Sequence, residues 1–456
     1  MPPPRTESVA TSAAPGLKRE LSVRDLALFA IACTIAPRWI AAAAHAGPGS
    51  ILLWMLGAVL MLLPLARAVA ALTVKYPGSG GMYIWTREDF GAWHGFLSFW
   101  AYWLGIAFWF PSAAIFYISV AIYTFGPSYG QWSENRPYLL IASLATIWLA
   151  LITNLVGLRI GKWTENLGGL ATWIMGVLLA MVGAMFAVKH GFATRMFVMP
   201  NWSWNTVSFW AVIAYATTGL ELAGMMAGEI RDPERTMPRA AWIASAVTVL
   251  FYVGTTVAML VVLDPAGISE LTGLGQFSST AGQAVGAAWL SPVIAMLILA
   301  TALGQFGAFG TAVSRLPLAA GVDGLLPQAF GKVHPRWGTP HISILVLGAV
   351  ASFLLVAIQL GDTLRAAYQE LVSLMVITGF LPFGYIFGSA WKAGRRVSAV
   401  LGWAVTALAI ATALIPTAAV TNVWLFEIKL VTGTLATIGS GWFIYRRALF
   451  QKVQPL

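Results

Sequence analysis

Twelve stretches of this chain are each apolar over about twenty residues or more. They fall near 25–46, 51–74, 95–124, 138–157, 166–188, 206–228, 240–263, 288–314, 341–359, 368–391, 397–420 and 424–446. A helix needs about 20 residues to cross roughly 30 Å of hydrocarbon. Lipid offers no water to a backbone amide, so segments of this length must span as helices that satisfy themselves. Of the 456 residues, 59% are hydrophobic and only 10% charged, against roughly 25% charged in soluble domains. The expected fold is an all-α polytopic membrane protein with twelve transmembrane helices.

The net charge of +10 raises the question of nucleic acid, and its distribution answers it. With the N-terminus inside, 20 of the 27 Lys and Arg lie in cytoplasmic segments. Five lie outside, at Arg136, Lys189, Arg195, Arg365 and Lys429, and Arg38 and Arg67 lie within spans. This bias is the positive-inside signature of a multi-pass protein of the cell membrane with both termini cytoplasmic. The partner it implies is a lipid bilayer, not nucleic acid. Arg67 is near enough to a span end to reach the interface by snorkelling.

Residues 1–20 are rich in Pro, Ser, Ala and Thr and read as a disordered tail. They do not have the form of a secretory signal. Cys33 is the only cysteine, so no intramolecular disulfide is expected, and it reads as a small buried apolar residue. The five histidines lie at span ends or in loops without metal-ligand spacing. Gly78-Ser79-Gly80-Gly81 has neither the spacing nor the lysine of a phosphate-binding loop. No cofactor or metal is expected, and any energy source must be a gradient or exchange.

Two apolar stretches are interrupted. The first breaks at Ala36-Pro37-Arg38-Trp39 and the second at Thr217-Thr218-Gly219-Leu220-Glu221. Irregular backbone at that depth is tolerated where it lines a cavity, and a matched pair of broken segments points to a transporter's substrate site. Each break opens a set of five spans. The first set starts in the cytoplasm and the second outside, so the two are inverted: repeat one over 21–190 and repeat two over 200–392. The spans after 393 form an appendage, 393–456. The polar stretch 264–287 reads as an outer loop with a short surface helix.

Three segments carry a family resemblance. Tyr76–Gly91 reads YPGSGGMYIWTREDFG, Gly219–Ala240 reads GLELAGMMAGEIRDPERTMPRA, and Ser314–Pro340 reads SRLPLAAGVDGLLPQAFGKVHPRWGTP. In order and location these resemble loops and the sixth-span break of amino acid–polyamine–organocation transporters. Gly157–Leu179 is most similar to the glutamate/γ-aminobutyrate exchanger branch. The resemblance implies two inverted five-helix repeats, broken helices one and six around a central site, alternating access, and an amino acid or amine substrate. It also implies that backbone amides of a Gly-Ser/Thr-Gly break hold the substrate carboxylate. Here that motif is Ala36-Pro37-Arg38, and proline has no N–H to donate; Arg38 is the candidate replacement. The lysine that some family members carry in span five is replaced by Thr172.

The candidate substrate site is Ile35, Ala36, Arg38, Trp39, Tyr215, Thr217, Thr218, Gly219, Glu221 and Gln305. Arg38 and Glu221 are intramembrane charges, functional hypotheses by default, and they are expected to pair with each other across the two breaks. Glu221 is alternatively a proton site, with H⁺ as coupling ion. Gln305 is the one strongly polar side chain in mid-span eight. The candidate gates are Tyr215, with Phe306 as the next choice, and Glu229 in the charged exit of span six. Tyr102, Trp103, Phe108 and Trp109 of span three are further aromatics for the cavity. The reading is a secondary transporter of amino acids and not an enzyme. Its rivals are a polyamine or organic-cation carrier held by Glu221, an intramembrane acyltransferase, for which no cluster of His, Asp or Glu is found, and a transporter-like nutrient sensor.

Overall fold

The computed structural model describes residues 19–196, 204–359, 364–415 and 422–453. The described residues are helical, with one isolated parallel bridge, Leu21 to Ile230. The helices are α1 (Val23–Thr34), α2 (Arg38–His45), α3 (Gly49–Gly57), α4 (Leu63–Lys75), α5 (Met82–Phe90), α6 (Ala92–Ala121), α7 (Arg136–Leu155), α8 (Leu158–His190), α9 (Trp204–Ala216), α10 (Leu220–Met225), α11 (Pro233–Val262), α12 (Gly273–Val285), α13 (Leu290–Val313), α14 (Arg315–Val322), α15 (His341–Gln359), α16 (Leu364–Lys392), α17 (Arg396–Ala413) and α18 (Val423–Val453). The tail through residue 18 and the segment 416–420, which ends the eleventh apolar stretch, lie outside the described residues.

Among the described residues eight helices are long and apolar enough to cross a membrane, and the α1–α2 pair, bent by 45° at its break, makes a ninth. The other three expected spans differ for identifiable reasons. The sixth stretch is divided between α9 and the six-residue α10. The ninth is a shorter apolar helix, His341–Ala357. In α18, length is ample, but Glu427, Lys429 and several Gly and Thr dilute the apolar face.

Local chemistry sets the bends. Between α3 and α4 the helix widens into a π turn, Ala58–Leu62. Pro64 follows at the start of α4; it has no N–H for the turn before it, a common origin of such irregularity. α6 is buried over nearly its whole length and forms the centre of the bundle. α8 and α13 meet at Gly168 and Gly304, where a Cβ on Gly168 would lie 2.5 Å from the Gly304 Cα. Only residues without side chains let two backbones come that close, as in other membrane helix pairs. The stretch expected as a surface loop is more deeply set: α12 buries Leu274, Phe277, Ser278 and Ala281. Its periodic apolar face needed a partner, which the polar reading of 264–287 overlooked.

The chain entering α1 is tied to the loop leaving α10. Glu20 and Leu21 donate their amides to the Glu229 carbonyl at 2.9 and 3.0 Å, and Arg231 donates to Leu21 at 3.0 Å. Ser22 then caps α1 through a capping box with Asp25, and Asp25 pairs with Lys162 of α8 at 2.6 Å.

Candidate functional site

The first unwound segment is Ile35-Ala36-Pro37, one step earlier than its sequence outline, because Pro37 caps α2 and Arg38 and Trp39 form its first turn. Its freed backbone groups are satisfied by side chains. The Tyr252 hydroxyl of α11 accepts the Ala36 amide and donates to the Thr34 carbonyl, both at 2.9 Å. Gln305 of α13 donates its amide to the carbonyls of Ala32, at 3.0 Å, and Ile35, at 2.6 Å. The hydroxyl of Tyr117 in turn donates to the Gln305 oxygen. Tyr252 is held by a face-to-face stack on Trp54, centroids 4.1 Å apart.

The second break runs through Thr217, Thr218 and Gly219. Both threonine hydroxyls fold back onto the preceding turn, onto Ala214 and Tyr215 carbonyls at 2.8 and 2.7 Å. Gly219 has φ of 117°, a region open mainly to glycine. A Cβ there would also lie 2.6 Å from the Cys33 carbonyl oxygen. The two breaks therefore touch. Glu221 bends back over its own break: one oxygen accepts the Gly219 amide at 2.8 Å and the other accepts the Tyr102 hydroxyl at 2.7 Å.

Between the breaks is an enclosed cavity of ≈ 20 Å³, room for about one water. Ala36, Trp39, Tyr215, Thr218, Gly219 and Glu221 of the expected site line it, joined by Cys33, Thr34, Tyr102, Ile106, Trp109 and Phe309. On the α2 and α9 side Tyr215 stands edge-on to Trp39, at 6.3 Å, and to Phe380, at 5.8 Å. Trp109 stacks on Phe309 at 4.1 Å. Tyr102 and Trp109 were among the aromatics offered by the sequence, and with Ile106 they share one face of α6 at i, i+4 and i+7. Trp103 instead stacks on Trp100, and Phe108 does not line the cavity.

Several expected positions are corrected. Arg38 does not pair with Glu221. Its guanidinium lies behind the cavity wall, 4.1 Å from the Trp39 ring and 5.6 Å from that of Trp109. It donates to Ser112 at 2.9 Å and to the Met375 sulfur at 3.5 Å, and its Nε has no hydrogen-bond partner among the described residues. The pair fails because α2 points Arg38 away from the break while the α10 turn folds Glu221 onto Gly219. Ile35 and Gln305 brace the first break and do not line the cavity. Thr217 is turned onto its own helix. Phe306 sits deeper, against Trp109, Phe110 and Tyr117. The amides expected to be free for an anion are occupied, Ala36 by Tyr252 and Gly219 by Glu221. Tyr252 was missed altogether; a tyrosine within an apolar span, where a hydroxyl must find a partner, was the available signal.

Just past α10, and not lining the cavity, lies a buried ion pair. Glu229 and Arg315 meet at 2.9 Å with side chains 1% and 3% exposed, and Arg315 also donates to the Thr311 carbonyl. Nearby, Arg87 and the Tyr83 hydroxyl of α5 both donate to Asp323. Burial, and then the hydrogen bond to the Asp323 carboxylate, push the Tyr83 hydroxyl well above its ordinary pKa, so it stays protonated as a donor. Thr172, where a lysine stands in some relatives by resemblance, bonds to Thr301 at 3.0 Å. No group of three or more His, Cys, Asp or Glu that would hold a metal occurs among the described residues.

Residues 21–444 match the family model described as amino acid permease. The chain is 24% identical to an uncharacterised transporter of Legionella pneumophila, over 82% of this chain and 81% of that one. It is 24% identical to a probable agmatine/putrescine antiporter of Lactococcus lactis, over 82% and 80%. It is also 24% identical to a glutamate/serine transporter of Bacillus subtilis, over 80% and 70%. With apolar spanning helices, two broken segments that touch and a family match over nearly its whole length, the chain belongs to the amino acid permeases of the amino acid–polyamine–organocation superfamily, a family of multi-pass membrane transporters.

Proposed function

We propose that this protein is a secondary transporter that moves amino acids across the cell membrane by alternating access at the paired breaks. The core would be two inverted five-helix repeats, 21–190 and 200–392, with two further helices over 393–456, twelve spans in all and both termini cytoplasmic. One observation supports the substrate assignment: Arg38 and Glu221 are each 1% exposed and do not neutralise each other, Glu221 on the cavity wall and Arg38 behind the Trp39 ring of that wall. A buried guanidinium without a carboxylate is costly at that depth, and an amino acid brings a carboxylate for Arg38 and an ammonium for Glu221. The ring faces of Trp39, Trp109 and Tyr215 add attraction for the ammonium. Trp39 separates Arg38 from the cavity, so binding requires this ring to turn aside. Tyr215, with Trp39 and Phe380, is the outer gate in this reading, and Glu229 with Arg315 the inner one. Glu221 carries the coupling proton, relayed with the Tyr102 hydroxyl.

A second reading has one observation in its favour. Among the described residues, Glu221 is the only charged one on the cavity wall, which suits a polyamine or organic cation, as in the agmatine/putrescine antiporter. The test is uptake into proteoliposomes, with and without imposed H⁺ and Na⁺ gradients, of amino acids each paired with its decarboxylated amine. Wild type should prefer the amino acid by about 100-fold, the scale of a buried charge contact, and Arg38→Gln should erase the preference. Equal or better uptake of the amines, unchanged by Arg38→Gln, establishes the second reading instead.

The orientation rests on the 20-to-5 division of Lys and Arg. Reporter fusions after Pro200 should report outside and those after Gly331 inside. Opposite signals overturn the inverted arrangement.

A further inference from the structure

Away from the central cavity, α4, α11 and the turn entering α17 enclose a groove of ≈ 630 Å³. Its wall carries Arg67, Lys75 and Arg395 against one carboxylate, Glu234, with Trp242 at its edge and small apolar residues such as Ala70 between. Arg67 is the informative member. It lies within the span Gly49–Lys75, eight residues from its end, about 12 Å by helix rise. It is exposed on the bundle surface, and among the described residues it makes no ion pair; its guanidinium is 6.0 Å from the Trp242 ring. Trp242 is itself 51% exposed, as a tryptophan at the headgroup level would be. Lys75 shares its charge with Asp89 at 3.2 Å, and Arg395 is exposed at the groove mouth.

A cation facing lipid at this depth needs either a path to water or an anion that belongs to the membrane. We infer that this groove binds the phosphate headgroup of an anionic phospholipid, with Arg67 and Arg395 on the phosphate and the Trp242 ring against the glycerol. Basic recesses between spanning helices are a recurrent form of such recognition. The small apolar wall of α4 leaves room for the first carbons of an acyl chain. Under the orientation proposed above the lipid belongs to the cytoplasmic leaflet; the groove itself does not depend on that orientation or on the substrate.

The experiment uses the full chain in vesicles containing brominated phosphatidylglycerol or brominated phosphatidylcholine at equal mole fraction. The fluorescence quenched in wild type but not in Trp242→Phe isolates Trp242 from the other tryptophans. That component should be quenched at least about twofold more by the anionic lipid. Arg67→Gln with Arg395→Gln should bring the two lipids to equality; Arg395→Gln alone, at an exposed turn, should bring them part of the way even if Arg67→Gln impairs insertion. Inorganic phosphate at millimolar concentration should leave the excess quenching intact. Equal quenching by the two lipids in wild type overturns the proposal, leaving ordinary boundary lipid. Loss of the excess on adding inorganic phosphate also overturns it, in favour of a free-anion site.

Discussion

Glu229→Gln, with Arg315 left in place, should lower the stability of the folded protein by about 3–5 kcal/mol, the usual cost of breaking one side of a buried ion pair. The two side chains are 1% and 3% exposed and meet at 2.9 and 3.3 Å. Neutralising the glutamate leaves a guanidinium in an interior that water does not reach. Arg315→Gln should cost a similar amount for the mirror-image reason. The double replacement should recover most of the loss, because a neutral pair needs no counter-charge. Thermal unfolding of the purified proteins in detergent, read with tryptophan emission, checks all three. If each single variant lies within about 1 kcal/mol of wild type, the pair is hydrated and the buried geometry is not the working one. In the gate reading, the double variant regains stability but not tight closure on the inner side, and leaks substrate without its coupling ion.

Gly219→Ala should be still more damaging to transport. An alanine at φ of 117° is strained by roughly 1–2 kcal/mol. Its Cβ would stand 2.6 Å from the Cys33 carbonyl oxygen and 2.9 Å from the Thr34 Cα, both backbone atoms. Backbone cannot turn aside as a long side chain does, so the two breaks must separate. The expected result is uptake below about one hundredth of wild type, with Glu221 no longer held by its own loop. Gly254→Ala in α11 is the control: nothing lies within 4 Å of a Cβ there, and in a helix the change should be neutral or stabilise by up to about 1 kcal/mol. Substrate uptake by both variants, normalised to inserted protein, decides it. Normal uptake by Gly219→Ala refutes contact between the breaks as a requirement.

Much of the architecture was legible because lipid makes sequence literal. Apolar length reports a span, and a break at Pro37 or Gly219 reports irregular backbone, since neither residue continues a helix easily. Tyr215, Trp39 and Glu221 followed from their closeness to those breaks. What was not legible depended on rotation about helix axes. Arg38 and Trp39 are neighbours in sequence, yet one lines the cavity and the other sits behind its wall. The expected Arg38–Glu221 pair assumed that two midplane charges must meet; Glu221 found nearer partners in its own loop and in Tyr102. Gln305 looked like a substrate ligand because it is polar and central, but the carbonyls freed by the break have the first claim on it. Phe309 was missed and Phe306 preferred; both rings pack on Trp109, Phe309 stacked and Phe306 edge-on, but only Phe309 lines the cavity.

The Tyr252 hydroxyl has a mechanical consequence. It is the acceptor for Ala36 and the donor to Thr34, so one oxygen atom clasps the chain on both sides of Ile35. The two halves of the first broken helix, α1 and α2, cannot swivel about Ile35 without opening both bonds. The break is thus latched: bending there requires the Tyr252 hydroxyl to give up both bonds. A stack on Trp54 keeps the latch in line, and the latch, together with the two Gln305 bonds, gathers the restraint on the break into two side chains from α11 and α13.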